Sequence, residues 1–66
     1  MSVTKPLAQH EYDSLTEGHE TKLYIRALNE TVYYRPDYSE QASLKRGYET
    51  EIYIRELDEA VFLKHP

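Results

Sequence analysis

Two stretches of this chain alternate strictly between apolar and polar side chains, and each follows one of its two glycines. Past Gly18, Leu23, Ile25 and Ala27 interleave with Lys22, Tyr24 and Arg26. Past Gly47, Ile52 and Ile54 interleave with Glu51, Tyr53 and Arg55. A period of two predicts half-buried strands. Partner strands are expected at 31–35, closed by Pro36, and at 60–64. Ahead of each glycine the spacing lengthens. Ala8, Tyr12 and Leu15 fall at i, i+4 and i+7, one face of a helix that Thr4 caps and Pro6 opens. Asp37 and Glu40 have capping-box spacing ahead of a second helix through Ala42 and Leu44. Lys45 and Arg46 suit its negative C-terminal end. Gly18 and Gly47 stand where left-handed helix caps belong.

The two patterns are one pattern written twice. Residues 11–34 realign without a gap on 40–63, with 12 identities in 24 positions: Glu11, Ser14, Leu15, Gly18, Glu20, Thr21, Tyr24, Ile25, Arg26, Leu28, Glu30 and Val32 recur 29 places later. The chain therefore reads as one small domain, 1–66, built of two αββ units at about 7–36 and 37–66. The expected fold is α+β in the order αββαββ: a four-stranded antiparallel sheet with two short helices on one face and approximate two-fold symmetry. Turns are expected at Asn29-Glu30 and Asp58-Glu59. The register that keeps apolar beside apolar pairs Ala27 with Val32, Ile25 with Tyr34 and Ile54 with Leu63, and leaves Glu56 misplaced opposite Val61. A helix over 58–64 is the rival reading of the last segment, but the β-rich match at 31–35 argues for a strand.

Leu44-x-x-Gly47-x-Glu-x-Glu-Ile-Tyr-Ile, followed by Val61-Phe-Leu-Lys-His-Pro, looks like the end of an AbrB/MazE-type swapped-hairpin domain. That resemblance covers some twenty residues of each unit. It implies a helix, a glycine turn and a hairpin in a dimer that binds DNA. The family's opening strand, with its basic DNA-contacting loop, has no evident counterpart before either helix.

Composition narrows the partners. The 66 residues carry no cysteine, which excludes disulfides and thiolate metal sites and fits a cytoplasmic location. No apolar run after a basic segment predicts a signal peptide, and none approaches the length of a membrane span. A net charge of −4 disfavours a general grip on nucleic acid. So small a chain gains from self-association, and a homodimer is expected.

In the expected register the outer sheet face opposes Tyr24 to Arg35, Arg26 to Tyr33, Tyr53 to Lys64 and Arg55 to Phe62. Those eight residues, four aromatics and four cations, form the candidate binding face. Such pairs also brace an exposed sheet with no partner at all. As a contact surface they have the composition of protein interfaces, and the alternative occupant is single-stranded nucleic acid stacked on tyrosine. The carboxylates at 17, 20, 30, 49, 51, 58 and 59 serve solubility. His10-Glu11 has no histidine at metalloprotease spacing, Ser14 and Ser43 lie outside any nucleophile elbow, and no glycine-rich phosphate loop exists. No catalytic, metal or cofactor set is expected. These features describe a non-enzymatic regulator or inhibitor acting by protein–protein binding, of a size that suits a phage or other mobile element.

Overall fold

A computed structural model describes residues 3–66. Along the chain run β1 (Val3–Pro6), α1 (Gln9–Thr16), β2 (Thr21–Ile25), β3 (Glu30–Tyr34), α2 (Tyr38–Lys45), β4 (Thr50–Ile54) and β5 (Glu59–Lys64). The fold is α+β, with residues 59–64 a strand. Its five strands form two sheets, ordered β1-β5-β4 and β2-β3, in place of the one four-stranded antiparallel sheet expected. Each hairpin offers a single apolar face. Leu23, Ile25 and Val32 from one sheet and Ile52, Ile54, Val61 and Leu63 from the other close on a common core, with Leu7, Leu15 and Leu44 completing it. Both sheets contribute to that core, and each eight-residue helix adds one buried leucine, Leu15 or Leu44.

The strand β1 is the second departure. Thr4 and Pro6, expected at the head of the first helix, belong to it, and Ala8 is the residue at that helix's N-cap. Ala8 has no side chain to cap with. The Glu11 carboxylate compensates by accepting the Ala8 N–H at 2.8 Å. In α2 both halves of the expected box form: Asp37 accepts from the Glu40 N–H, and Glu40 accepts from the Asp37 N–H. β1 pairs parallel with β5, Val3 beside Val61 and Lys5 beside Leu63, so the paired residues are two repeat lengths apart. The Leu7 N–H extends the ladder to the Lys64 carbonyl at 2.9 Å. β1 leads into α1 as β3 leads into α2, and Val3 lies one repeat length before Val32.

Register corrects the hairpins. Leu23 pairs with Val32 and Ile25 with Glu30; Ile52 pairs with Val61 and Ile54 with Glu59. The loops are residues 26–29 and 55–58, ending at Asn29 and Asp58 with φ of 53° and 52°. Asparagine and aspartate tolerate the left-handed region better than other residues with a Cβ. Each strand thus stops two residues earlier than the alternation suggested, and Leu28 and Leu57 fold back against the core. A shift of that size leaves the side chains still within the strands on their expected faces, moves Arg26, Ala27 and Arg55 into the turns, and changes all the cross-strand partners. It also resolves the misplaced Glu56, which lies exposed in the turn.

The two units pack reciprocally. Tyr12 of α1 donates its hydroxyl to the Leu44 carbonyl at the end of α2, at 2.9 Å. Gln41, one repeat later, lies against Gly18 at the end of α1. Equivalent hydroxyl pairs, Ser14 with Thr21 at 2.8 Å and Ser43 with Thr50 at 2.9 Å, tie each helix to its following strand.

Candidate contact surface

The eight residues of the candidate face fall on two sheets. On the β2–β3 pair, Lys22 stands across from Tyr33 and Tyr24 across from Thr31, all four exposed. Tyr24 and Tyr33 are therefore diagonal neighbours on one outward face, within reach of each other's rings. Arg26 sits in the turn beyond Tyr24 and Arg35 follows the end of β3; neither opposes a tyrosine as expected, because the earlier turn removes both from the paired region. On the other sheet, Tyr53 lies across from Ala60 and Glu51 across from Phe62. Phe62 is half-buried, with Thr4 of β1 on its second flank. Arg55 is in the turn and Lys64 closes β5, both exposed.

The two outward faces differ in kind. One position, Lys22 in the first unit and Glu51 in the second, reverses the charge beside the aromatic. The β2–β3 face carries Tyr24 and Tyr33, 46% and 63% exposed, with Lys22, Arg26 and Arg35 around them. None of those cations has a carboxylate partner among the described residues, where the ion pairs are Lys5–Glu11 and His19–Glu17. Sequence reasoning passed over Lys22, and the signal it lacked was the left-handed position of Asn29 that sets the register.

The turn residues also hold the tyrosines. The Tyr24 hydroxyl donates to Asn29 Oδ1 at 2.8 Å, and Tyr53 donates to Asp58. That bond to a carboxylate, followed by desolvation, raises the Tyr53 pKa above its ordinary 10.0. Tyr34, on the core side of β3, donates to both carboxylate oxygens of Glu40 at 2.7 Å. Burial first and that hydrogen bond second push its ionisation well above the ordinary value. Lys5 occupies the Tyr34 position one repeat earlier, and it meets Glu11 at 3.3 Å with both side chains nearly buried. The same carboxylate at each helix entry is thus held by an ammonium in one unit and a phenol in the other.

Where the two turns meet, Leu28, Glu30, Leu57 and Glu59 line an open cleft of about 210 Å³. Its walls are two pairs equivalent in the repeat, Leu28 with Leu57 and Glu30 with Glu59. Among the described residues no group of three or more His, Asp or Glu is placed to hold a metal ion. Nor, among the described residues, is any helix long and apolar enough to cross a membrane. No family model, curated protein or solved structure matches the chain, so the likeness to swapped-hairpin DNA-binding domains finds no support from that side.

Proposed function

We propose that this protein is a small, non-enzymatic binding protein, cytoplasmic, that regulates or inhibits another protein by direct contact through the outward face of β2–β3. The observation that carries the reading is the pairing of two exposed, diagonally adjacent tyrosines with three cations that lack partners among the described residues. Tyrosine gives contact area at a low cost in side-chain entropy, and cations orient an acidic partner. Tyr24 and Tyr33 are the anchors, with Lys22, Arg26 and Arg35 around them. Tyr53, Arg55, Phe62 and Lys64 form a second, more acidic face that is secondary in this reading.

The test compares wild type with a Tyr24→Ala, Tyr33→Ala double variant and a Tyr38→Ala, Tyr48→Ala control in affinity capture from the source cell. A protein retained by wild type and control but lost by the double variant is the expected result. The same three chains titrated with a mixed single-stranded oligonucleotide decide the alternative. Binding that Tyr24 and Tyr33 support and that collapses with added salt would replace the protein-contact reading with nucleic-acid binding.

A further inference from the structure

We propose that the outer edge of β3 is a strand-addition site, and that its occupant is a second copy of this chain, paired antiparallel about a two-fold axis near Val32 and Tyr33. The inference concerns self-association and does not depend on any outside partner.

The approximate symmetry supplies the first argument. β5 is the counterpart of β3, and its outer edge is covered by β1. Among the described residues, β2 is the only strand that pairs with β3, so the equivalent edge of β3 is open. Side-chain burial follows the same difference. Glu30, Thr31 and Tyr33 are exposed, while Glu59, Ala60 and Phe62 at the same positions of β5 are half-buried.

Past Glu30, the edge is also unguarded. Proteins blunt open edges with lysine, proline, bulges or very short strands. β1, itself an edge, is four residues long, contains Lys5 and ends in Pro6. β3 reads Glu-Thr-Val-Tyr-Tyr, with neither lysine nor proline, and the four residues after Glu30 are strand formers.

Charge selects the occupant and its direction. The only charged residue within β3 is Glu30 at its start, and Arg35 follows its end. An antiparallel copy brings Glu30 of one chain to the Arg35 end of the other at both ends of the interface. A parallel copy would stack Glu30 on Glu30 and Arg35 on Arg35. Pairing centred on Val32 or on Tyr33 keeps Val32 and Tyr34 toward the core side, as the side-chain period requires. The product is a continuous four-stranded sheet, β2-β3-β3-β2, whose outward face carries Lys22, Tyr24 and Tyr33 twice.

The absence of cysteine makes the test direct. The wild-type mass is measured by light scattering across a range of concentrations. Thr31→Cys, Tyr33→Cys, an equimolar mixture of the two, and Tyr53→Cys on the other sheet are then oxidised, with circular dichroism verifying each fold. The expected result is a wild-type mass that doubles from 7.8 kDa with concentration. A disulfide dimer should form rapidly for Tyr33→Cys or for the mixture, and slowly for Tyr53→Cys. A chain that stays monomeric at every concentration overturns the proposal. So does a dimer in which neither β3 cysteine links faster than Tyr53→Cys. Neither result decides the partner-binding reading, which is read by capture of another protein and not by the mass or cross-linking of this chain.

Discussion

At the scale of single residues, the carboxylates that start the two helices show how one position takes two chemistries. Glu11 is nearly buried, accepts a backbone N–H and pairs with Lys5. Removing either charge of such a pair strands the other in a poorly solvated place. Glu11→Ala is therefore expected to cost about 3 kcal/mol in urea unfolding, clearly more than Glu40→Ala in the partly exposed equivalent. Tyr34, the counterpart of Lys5, gives a pH dependence of definite sign. Its folded pKa lies above the ordinary 10.0, so the stability it contributes is fully present below that value and is lost as pH rises through the folded pKa. Phenolate absorbance should show a step well above the ordinary tyrosine range, and Tyr34→Phe should remove it and flatten the alkaline loss of stability. The repeat made Glu11 and Glu40 legible as equivalents. Their partners were not, because Lys5 precedes the aligned segment and shares no chemistry with Tyr34.

At the scale of elements, glycine and alternation announced most of what forms. Both helices end at Gly18 and Gly47, with φ of 81° and 85°, and the strands follow as read. Both sites strain any residue with a Cβ, but only Gly18 is also crowded: an added Cβ would lie 3.0 Å from the Gln41 amide, while nothing lies near Gly47. Gly18→Ala is expected to lower Tm more than Gly47→Ala, each by the equivalent of at least about 1 kcal/mol. The turns were placed too late, because Asn29-Glu30 and Asp58-Glu59 resemble turn centres, whereas Asn29 and Asp58 are the last residues of four-residue loops. Asn29→Ala should cost about 1 kcal/mol and release the Tyr24 hydroxyl, and Asn29→Gly should cost less; thermal melts of the three chains check the order. The candidate face inherited that error. Tyr24, Tyr33, Tyr53, Phe62 and Lys64 lie in strands as expected, but Arg26, Arg35 and Arg55 fall outside them, and the aromatic–cation oppositions inferred for the face are absent.

At the scale of the whole molecule, the sequence pattern specified which faces are apolar but not how four strands divide between sheets. Period-two alternation carries the direction of a side chain and no information on which strand lies alongside. Both sheets contribute to the one core of ten residues. The parallel β1–β5 pairing was hidden for another reason: it joins residues at opposite ends of the chain, and only Val3, Val32 and Val61 mark the equivalence. That pairing has a consequence for the order of events in folding. Leu23 and Val32 are nine residues apart, as are Ile52 and Val61, while Val3 and Val61 are separated by 58. Closing the longer loop forfeits more chain entropy, so the hairpins and their helices should assemble before β1 reaches β5. Val3→Ala is then expected to speed unfolding while leaving the refolding rate nearly unchanged in stopped-flow experiments, whereas Ile52→Ala should slow refolding. On that account β1 acts as a late clasp, and its hold sets how long the folded chain survives, not how quickly it forms.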